Sequence, residues 1–202
     1  MKVDFEQADG RKIQAIEKAA MQEFAARGYD LASTNNIVKN AGISKGLLFH
    51  YFKSKADLYE YMVVRCIDLL VEYLYERIDF SESDLFERLK QIGRLKMEIF
   101  REYPYLYEFV MRTNFSESNA EMKQLAAGVQ QERLKDIEQN TLKGVDYTRF
   151  KEGLDIEKSM TVLSITAEEI VKRKTMEGNI DMEEVYELMN GYLDYFKKLF
   201  YK

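Results

Sequence analysis

The chain contains a single proline and ten glycines among its 202 residues, and this scarcity of turn-forming residues is the feature that most restricts its fold. A β-sandwich or β-barrel needs a turn about every 8–12 residues, and glycine and proline supply many of the backbone conformations that such turns need. Long helices joined by short connections need far fewer. Since 46% of the residues are hydrophobic, there is enough apolar material for a packed core. The sequence therefore predicts an all-α fold.

Helical periodicity, together with start and stop signals, divides the chain into nine predicted helices. The first spans residues 11–27, and Gly28 follows it as a C-cap that needs a positive φ. The others are predicted at about 34–41, 44–52, 54–78, 84–102, 104–114, 118–142, 155–177 and 182–200. The predicted caps at helix N-termini include Ser44, Ser54, Ser118 and Asp181.

Residues 33–55, with the sequence STNNIVKNAGISKGLLFHYFKSK, contain four lysines and no acidic residue. Residues 61–202, in contrast, contain 21 basic and 27 acidic residues. Two short helices joined by a turn that contains glycine predict a helix-turn-helix, whose second helix enters the DNA major groove. Leu48 and Phe52, four residues apart, are predicted to face inward. A basic segment in an acidic chain fits DNA binding, although a run of like charges is more often a solvated surface.

The ordered elements STNNIV, AGISKGLLFHYF and KSKADL resemble the TetR (tetracycline-repressor) family over roughly the first 60 residues. The resemblance implies an N-terminal three-helix DNA-binding domain, residues 1–54, followed by a larger helical ligand-binding and dimerisation domain, residues 55–202. It also implies DNA contacts from both helices of the helix-turn-helix and from the start of the next helix. The predicted DNA-binding residues are Ser33, Thr34, Asn35, Ser44, Lys45, Gly46, Leu47, Phe49, His50, Tyr51 and Lys55.

Four of these residues need separate comment. Phe49 stands where the family more often has tyrosine, so the phenol–phosphate hydrogen bond is expected to be missing. Leu47 stands where the family commonly has threonine; it can contact a thymine methyl group but cannot donate a hydrogen bond. His50 is the only histidine; taken alone it would more often be a packed or solvated side chain, and its place on the recognition helix favours DNA contact. Lys55 is predicted to bind a phosphate together with the N-terminus of its own helix.

Aromatic and methionine side chains are dense between residues 97 and 115. A stripe of this kind is most often part of a core, and the alternative is an apolar ligand pocket between helices. The family resemblance favours the pocket, and the predicted ligand-binding residues are Met62, Met97, Phe100, Tyr103, Tyr107, Met111 and Phe115. The charged side chains of Arg94, Glu98 and Arg112 are predicted to face solvent.

Apolar stripes on the last two predicted helices offer a dimer surface. In the family, the corresponding helices pair with their copies, and a two-fold dimer suits a palindromic operator. The predicted interface residues are Met160, Leu163, Ala167, Ile170, Leu188, Tyr192 and Phe196. The alternative is that both stripes are buried within their own subunit.

Together these features predict a ligand-responsive transcriptional regulator: a repressor that binds a double-stranded palindromic operator as a homodimer and is released by a small, largely apolar or aromatic effector. Two other classes stay open, an architectural DNA-binding protein without a ligand and a helical-bundle enzyme. We expect no catalytic residues, metal or cofactor, since the sequence has no second histidine and no glycine-rich phosphate loop. A single cysteine, Cys66, and no apolar run of about 18 residues predict a cytoplasmic protein without a membrane partner.

Overall fold

The computed structural model describes residues 10–176 and 181–202, and in these residues the regular structure is helical, as predicted. The α-helices are α1 (Gly10–Leu31), α2 (Thr34–Ala41), α3 (Lys45–Tyr51), α4 (Lys55–Arg77), α5 (Leu85–Glu102), α6 (Pro104–Met111), α7 (Ala120–Leu142), α8 (Ile156–Met176) and α9 (Met182–Phe200). A π-helical turn, Arg112–Ser116, follows α6, and a 3-10 turn, Tyr147–Arg149, lies between α7 and α8.

The first helix differs most from its prediction, because it continues to Leu31 across a bend at Gly28. Gly28 has φ 69° and ψ 176°, and a positive φ is the conformation that glycine adopts without the steric cost of a Cβ. The predicted positive φ at Gly28 is therefore confirmed. The chain then forms one more turn, in which the amide of Ala32 donates to the carbonyl of Gly28 at 3.2 Å.

Side-chain oxygens cap several helix starts as the sequence predicts. Ser44 accepts from the amide of Leu47 at 3.2 Å, and Ser54 from that of Asp57 at 3.0 Å. Asp181 likewise accepts from two amides of the first turn of α9. The prediction that Ser118 caps α7 is wrong. The side chain of Asn119 accepts from the amide of Met122 at 3.1 Å, and α7 begins at the next residue, Ala120.

The chain divides into two compact units: the first contains residues 1–70 and 102–134, and the second contains residues 71–101 and 135–202. In the first unit, α1 packs against α2 and α6. Its core includes the rings of Phe24, Tyr59 and Phe109, whose centroids lie 5.0 to 6.4 Å apart. The predicted functional boundary at residue 54 does not coincide with this division, and it stays a prediction.

The second unit has its own core, which joins α5, α8, α9 and the segment after α7. Its buried members are Leu85, Phe86, Val145, Phe150, Leu163 and Leu193. An isolated bridge pairs Phe150 with Tyr201, so the segment before α8 is fixed to the end of α9. Within the described residues, no helix is both long and apolar enough to cross a membrane.

Candidate functional site

The helix-turn-helix is built from α2, α3 and the turn at residues 42–44. Gly42 has φ 66°, and its amide and that of Ile43 donate to carbonyls in the last turn of α2. This left-handed turn reverses the chain within three residues. Leu48 and Phe52 are each 1% exposed, so the prediction that these two side chains face inward is confirmed.

The outward face of α3 contains most of the predicted recognition residues. Lys45, Gly46, Phe49 and His50 are exposed, and Leu47 and Tyr51 are partly buried. Ser44 is exposed as well, although its hydroxyl is already used as the cap of α3. Lys39 and Lys53 are also exposed. Because residues 33–55 contain no carboxylate, this surface is locally cationic.

The start of α2 is fixed by a residue that the sequence analysis missed. The carboxylate of Glu23, on α1 and only 8% exposed, accepts from the amide of Ser33 at 2.9 Å and from the side-chain amide of Asn36 at 3.1 Å. Ser33 has the N-cap conformation without a side-chain cap bond. Ser33 and Thr34 are partly buried and Asn35 is exposed. The sequence does contain a signal for Glu23, a charged residue at a position on the apolar face of α1, but the sequence analysis did not use it.

Lys55, the first residue of α4, makes contacts that the sequence did not predict. Its ammonium donates to the carbonyls of Tyr29 at 2.8 Å, Asp30 at 3.2 Å and Ala32 at 3.2 Å, and it lies 4.6 Å from the centre of the Tyr29 ring. An ammonium group has three N–H donors, so a phosphate contact requires at least one of these bonds to be exchanged. The phosphate contact of Lys55 stays a prediction.

Comparison with known proteins agrees with this geometry. The profile of the family described as "Bacterial regulatory proteins, tetR family" matches residues 16–62, a range that contains α2, α3 and the flanking parts of α1 and α4. The chain therefore carries, over residues 16–62, the DNA-binding domain of the TetR family. Like its TetR relatives, it is a DNA-binding transcriptional regulator.

Similarity to TetR regulators extends beyond the helix-turn-helix. The chain is 25% identical to the fatty acid metabolism regulator protein of Bacillus subtilis over 188 residues, which cover 91% of this chain and 92% of that protein. It is 34% identical to the regulator RutR of Escherichia coli over 94 residues, 46% of this chain and 43% of RutR. The solved structure of Bacillus subtilis FadR in complex with stearoyl-CoA superposes with a TM-score of 0.72 at 21% identity, and covers 90% of this chain and 97% of that one.

The predicted ligand-binding residues of this TetR protein fall in both compact units. Met62, Tyr103, Tyr107, Met111 and Phe115 belong to the first unit, and Met97 and Phe100 to the second. Met62 is fully buried, and Met97 and Phe100 are each 9% exposed. Tyr107, Met111 and Phe115 are partly buried, and Tyr103 is exposed. Their role in ligand binding stays a prediction.

The predicted dimer stripes need correction. Leu163 is buried in the core of the second unit, and Met160 and Phe196 pack against that core. Of the other predicted residues, Tyr192 is exposed and Ala167, Ile170 and Leu188 are partly buried. The large apolar side chains that α8 and α9 expose are Val162, Ile165, Tyr192, Tyr195 and Leu199. Each helix therefore has two apolar faces, which the sequence pattern alone does not distinguish.

Two charged residues near the end of α6 are further residues that the sequence analysis missed. Arg112, predicted to face solvent, instead donates to the carbonyls of Ala25 and Ala26 in α1. Glu117 is 7% exposed and accepts from the amide of Tyr29 at 3.1 Å. Arg94 and Glu98, in contrast, are exposed as predicted, 58% and 46% in their side chains. No local pattern identifies the contacts of Arg112 and Glu117 with α1, because their partners in α1 lie more than 80 residues away.

Proposed function

We propose that this TetR-family protein is a ligand-responsive repressor that binds a palindromic operator as a homodimer and leaves it when an effector binds. The observation that carries the proposal is the exposed, cationic outer face of α3 above its buried residues Leu48 and Phe52. Such a helix can enter a major groove without disturbing the core that supports it. A function on chromosomal DNA would place the protein in the cytoplasm.

The residues of α2 and α3 suit distinct contacts with DNA. Lys45 can donate to O6 and N7 of guanine, and Gly46 allows the backbone to approach closely. Leu47 can contact a thymine methyl group. Ser33 and Thr34, at the start of α2, can bind a phosphate through their hydroxyl groups and the free amides of the helix.

For the effector, we propose a long-chain fatty acyl-CoA as the first candidate. The support is the relative that is named a fatty acid metabolism regulator and the structure of FadR with stearoyl-CoA. The aromatic and methionine side chains on and around α6 are chemically suited to an acyl chain, since ligand pockets are lined mainly by such groups.

The homodimer is supported by the exposed apolar side chains of α8 and α9. Ile165 is 61% exposed and Tyr195 is 57% exposed. The exposed residues Val162 and Ile165 of α8, and Tyr192, Tyr195 and Leu199 of α9, are spaced by three or four residues and so share one face of each helix. Large exposed apolar faces are typical of an interface. A two-fold dimer would present two copies of α3, one to each half of a palindrome.

The effector would act by favouring a separation of the two recognition helices that does not fit successive major grooves of the operator. This requires that the effector binds the DNA-binding state and the released state with different affinities.

The test is a fluorescence-anisotropy titration of the purified protein against its own upstream intergenic DNA, with a random duplex as the control. At a salt concentration of about 0.15 M, a regulator should prefer its operator by roughly 10³-fold or more. Equal affinity for both duplexes would contradict the regulator and favour an architectural DNA-binding protein.

The effector is tested on the preformed complex of protein and operator. Stearoyl-CoA is added in one titration, and CoA alone and stearate in two controls. Release by stearoyl-CoA alone is the expected result, because the proposed site requires both portions of the molecule. If none of the three compounds releases the protein from its operator, the acyl-CoA proposal is contradicted. The proposal that the protein binds an operator is not affected by that result.

A further inference from the structure

The bend at Gly28 interrupts the hydrogen bonds of α1 and exposes backbone groups on both sides. Carbonyls that precede the bend and amides that follow it lose their partners within the helix. The carbonyls of Ala25 and Ala26 precede the bend, and the amide of Tyr29 follows it. Ala25 is buried and Tyr29 is partly buried. Backbone groups that are removed from water without a partner are costly, so a partner from elsewhere in the chain stabilises them.

Two side chains from a distant segment satisfy these groups. Arg112 donates through Nε to the carbonyl of Ala25 and through Nη2 to that of Ala26, the latter at 3.2 Å. The carboxylate of Glu117 accepts through Oε2 from the amide of Tyr29 at 3.1 Å. We call these bonds of Arg112 and Glu117 to α1 the α1 clasp. It joins the end of α1 to the turn that follows α6.

Gly28 permits this close approach. A Cβ at residue 28 would lie 3.4 Å from Nη1 of Arg112 and 3.7 Å from Oε2 of Glu117. The same carboxylate oxygen of Glu117 accepts from the buried hydroxyl of Tyr59 at 3.1 Å. Burial, reinforced by this carboxylate, raises the pKa of Tyr59 well above its usual value, so the phenol stays protonated and donates to Glu117 at physiological pH.

The position of the clasp along the chain gives it a consequence for DNA binding. Arg112 is the first residue of the π-helical turn, Arg112–Ser116, that follows α6, and Glu117 comes directly after this turn. Turns of this type are rare and frequently occur at functional sites. On the other side, Tyr29 is four residues before Ser33, the N-cap of α2. The clasp therefore fixes the segment that positions the first helix of the helix-turn-helix.

We propose that Arg112 and Glu117 are positioning residues that couple the end of α6 to the helix-turn-helix. Neither residue contacts DNA in this proposal; both act by holding the end of α1. An effector that moves the π-helical turn would lengthen these hydrogen bonds and release residues 29–33. The proposal rests on the proposed function for its DNA-binding part, whereas the clasp itself can be tested separately.

The experiment uses full-length variants and two measurements. Arg112→Met and Glu117→Ala remove the clasp, Arg112→Lys keeps one donor group as a milder variant, and Glu117→Gln keeps an acceptor oxygen for Tyr29. The matched control is Arg133→Met, because Arg133 lies in the same unit and pairs with Asp68 at 3.2 Å. Hydrogen–deuterium exchange is followed over residues 29–37, and affinity is measured for the operator and for a random duplex.

We expect Arg112→Met and Glu117→Ala to raise amide exchange over residues 29–37 and to lower operator affinity by roughly tenfold, the size of a typical coupling between distant sites. Affinity for a random duplex should stay within about twofold, because its electrostatic contacts remain. Arg112→Lys should give an intermediate result. Arg133→Met should resemble the wild type in both measurements. Glu117→Gln should fall between Glu117→Ala and the wild type, because glutamine keeps one acceptor oxygen for Tyr29 but turns its NH2 group toward the amide of Asn119, from which Glu117 accepts at 3.0 Å.

Three results would overturn the proposal. Unchanged exchange would show that the clasp does not hold α1. Faster exchange with unchanged operator affinity would show that the clasp does not position the helix-turn-helix. An equal loss of affinity for both duplexes would indicate general loosening of the fold. A wild-type protein without operator preference would instead contradict the proposed function, and the exchange measurement would still decide whether the clasp holds α1.

Discussion

At the scale of single residues, Lys55 shows how one side chain can serve both the fold and the site. Its ammonium is within 3.2 Å of three carbonyls at the end of α1 and in the connection to α2. These carbonyls carry partial negative charge, which a cation stabilises at a helix C-terminus. The same side chain lies over the ring of Tyr29, which adds a cation–π contact. Lys55 therefore connects the start of α4 to the end of α1.

The substitution Lys55→Met removes the ammonium and keeps the apolar stem. We expect it to lower the free energy of unfolding by about 1.5–3 kcal/mol, the usual contribution of hydrogen bonds to a charged group. Urea unfolding at neutral pH measures this change. The control is Lys53→Met, since Lys53 is exposed between α3 and α4 and its removal should change stability little. Equal stability of both variants would contradict a structural role for Lys55.

The same variants test the predicted phosphate contact of Lys55. Each phosphate contact contributes about 0.9 to the slope of log affinity against log salt on duplex DNA. If Lys55 exchanges a carbonyl for a phosphate in the complex, Lys55→Met should flatten the slope by about one unit. An unchanged slope would show that its role is confined to the fold.

At the scale of secondary-structure elements, the sequence correctly predicted those helix bounds and caps that local interactions determine. The bounds of α2 and α9 agree with their predictions, and the caps at Ser44 and Asp181 form as expected. Helix caps and apolar periodicity act over a few residues, so they are visible in the sequence. The helix-turn-helix belongs to this local class, which explains why its inward residues Leu48 and Phe52 were identified correctly.

Interactions between distant segments were not predictable in this way. Arg88 is completely buried, and its guanidinium donates to the carbonyls of Phe80, Glu82, Thr141 and Lys143. In sequence it resembles any polar residue of an amphipathic helix. The same holds for Arg112, whose partners are the backbone carbonyls of Ala25 and Ala26 in α1. Backbone acceptors carry no sequence signal, so only the folded chain identifies these contacts.

Asp84 joins three elements of the second unit. Its carboxylate accepts from the amides of Phe86 and Glu87, which caps α5, and it pairs with Lys197 of α9 and with Arg149, each at 2.8 Å. Burial alone would raise the pKa of Asp84, but Lys197 and the amide donors outweigh it, and the pKa is lowered. The ionised form is therefore favoured in the folded state.

This shift predicts a loss of stability in acid. A carboxyl with a lowered folded-state pKa stabilises the fold above its unfolded pKa of about 3.9, and this contribution is lost as the pH falls through the folded-state value. Asp84→Asn should cost about 1–3 kcal/mol at neutral pH, because the pairs with Lys197 and Arg149 are lost. It should also flatten the fall in the free energy of unfolding below about pH 4.

Urea unfolding at neutral pH and in acid measures both effects of Asp84→Asn. The control is Asp155→Asn, since Asp155 caps α8 in the same way and pairs with Lys158 at 2.8 Å, but its side chain is 50% exposed. The exposed pair should contribute little. A loss at neutral pH that is equal in the two variants would contradict a special role for the buried carboxylate.

At the scale of the whole molecule, α8 and α9 each carry a second apolar face, whose large side chains are exposed in the single chain. One face of these helices forms the core around Leu163 and Leu193, while Ile165 and Tyr195 on the other face are exposed. Gly191 lies on α9 with no atom within 4 Å of an added Cβ, although glycine within a helix is less stable than alanine by about 1 kcal/mol. If a second copy of α9 packs closely against the helix at Gly191, this close packing would explain why glycine occupies a position within α9.

The substitution Ile165→Glu tests this assembly. Ile165 is 61% exposed, so the monomer should fold normally, whereas burying the new carboxylate in an interface without a partner is strongly unfavourable. We expect sedimentation to change from twice the monomer mass to the monomer mass. Operator affinity should fall by roughly a hundredfold, because two linked half-sites gain at least that much over one.

Tyr105→Glu is the control for Ile165→Glu, since Tyr105 is an apolar side chain of α6 that is 44% exposed. This variant should keep the dimer mass, because its position lies outside α8 and α9. If Ile165→Glu also remained dimeric, the interface would have to lie elsewhere on the chain. A monomeric Ile165→Glu variant with undiminished operator affinity would show instead that a single copy of α3 carries recognition, which would contradict the two-fold arrangement on DNA.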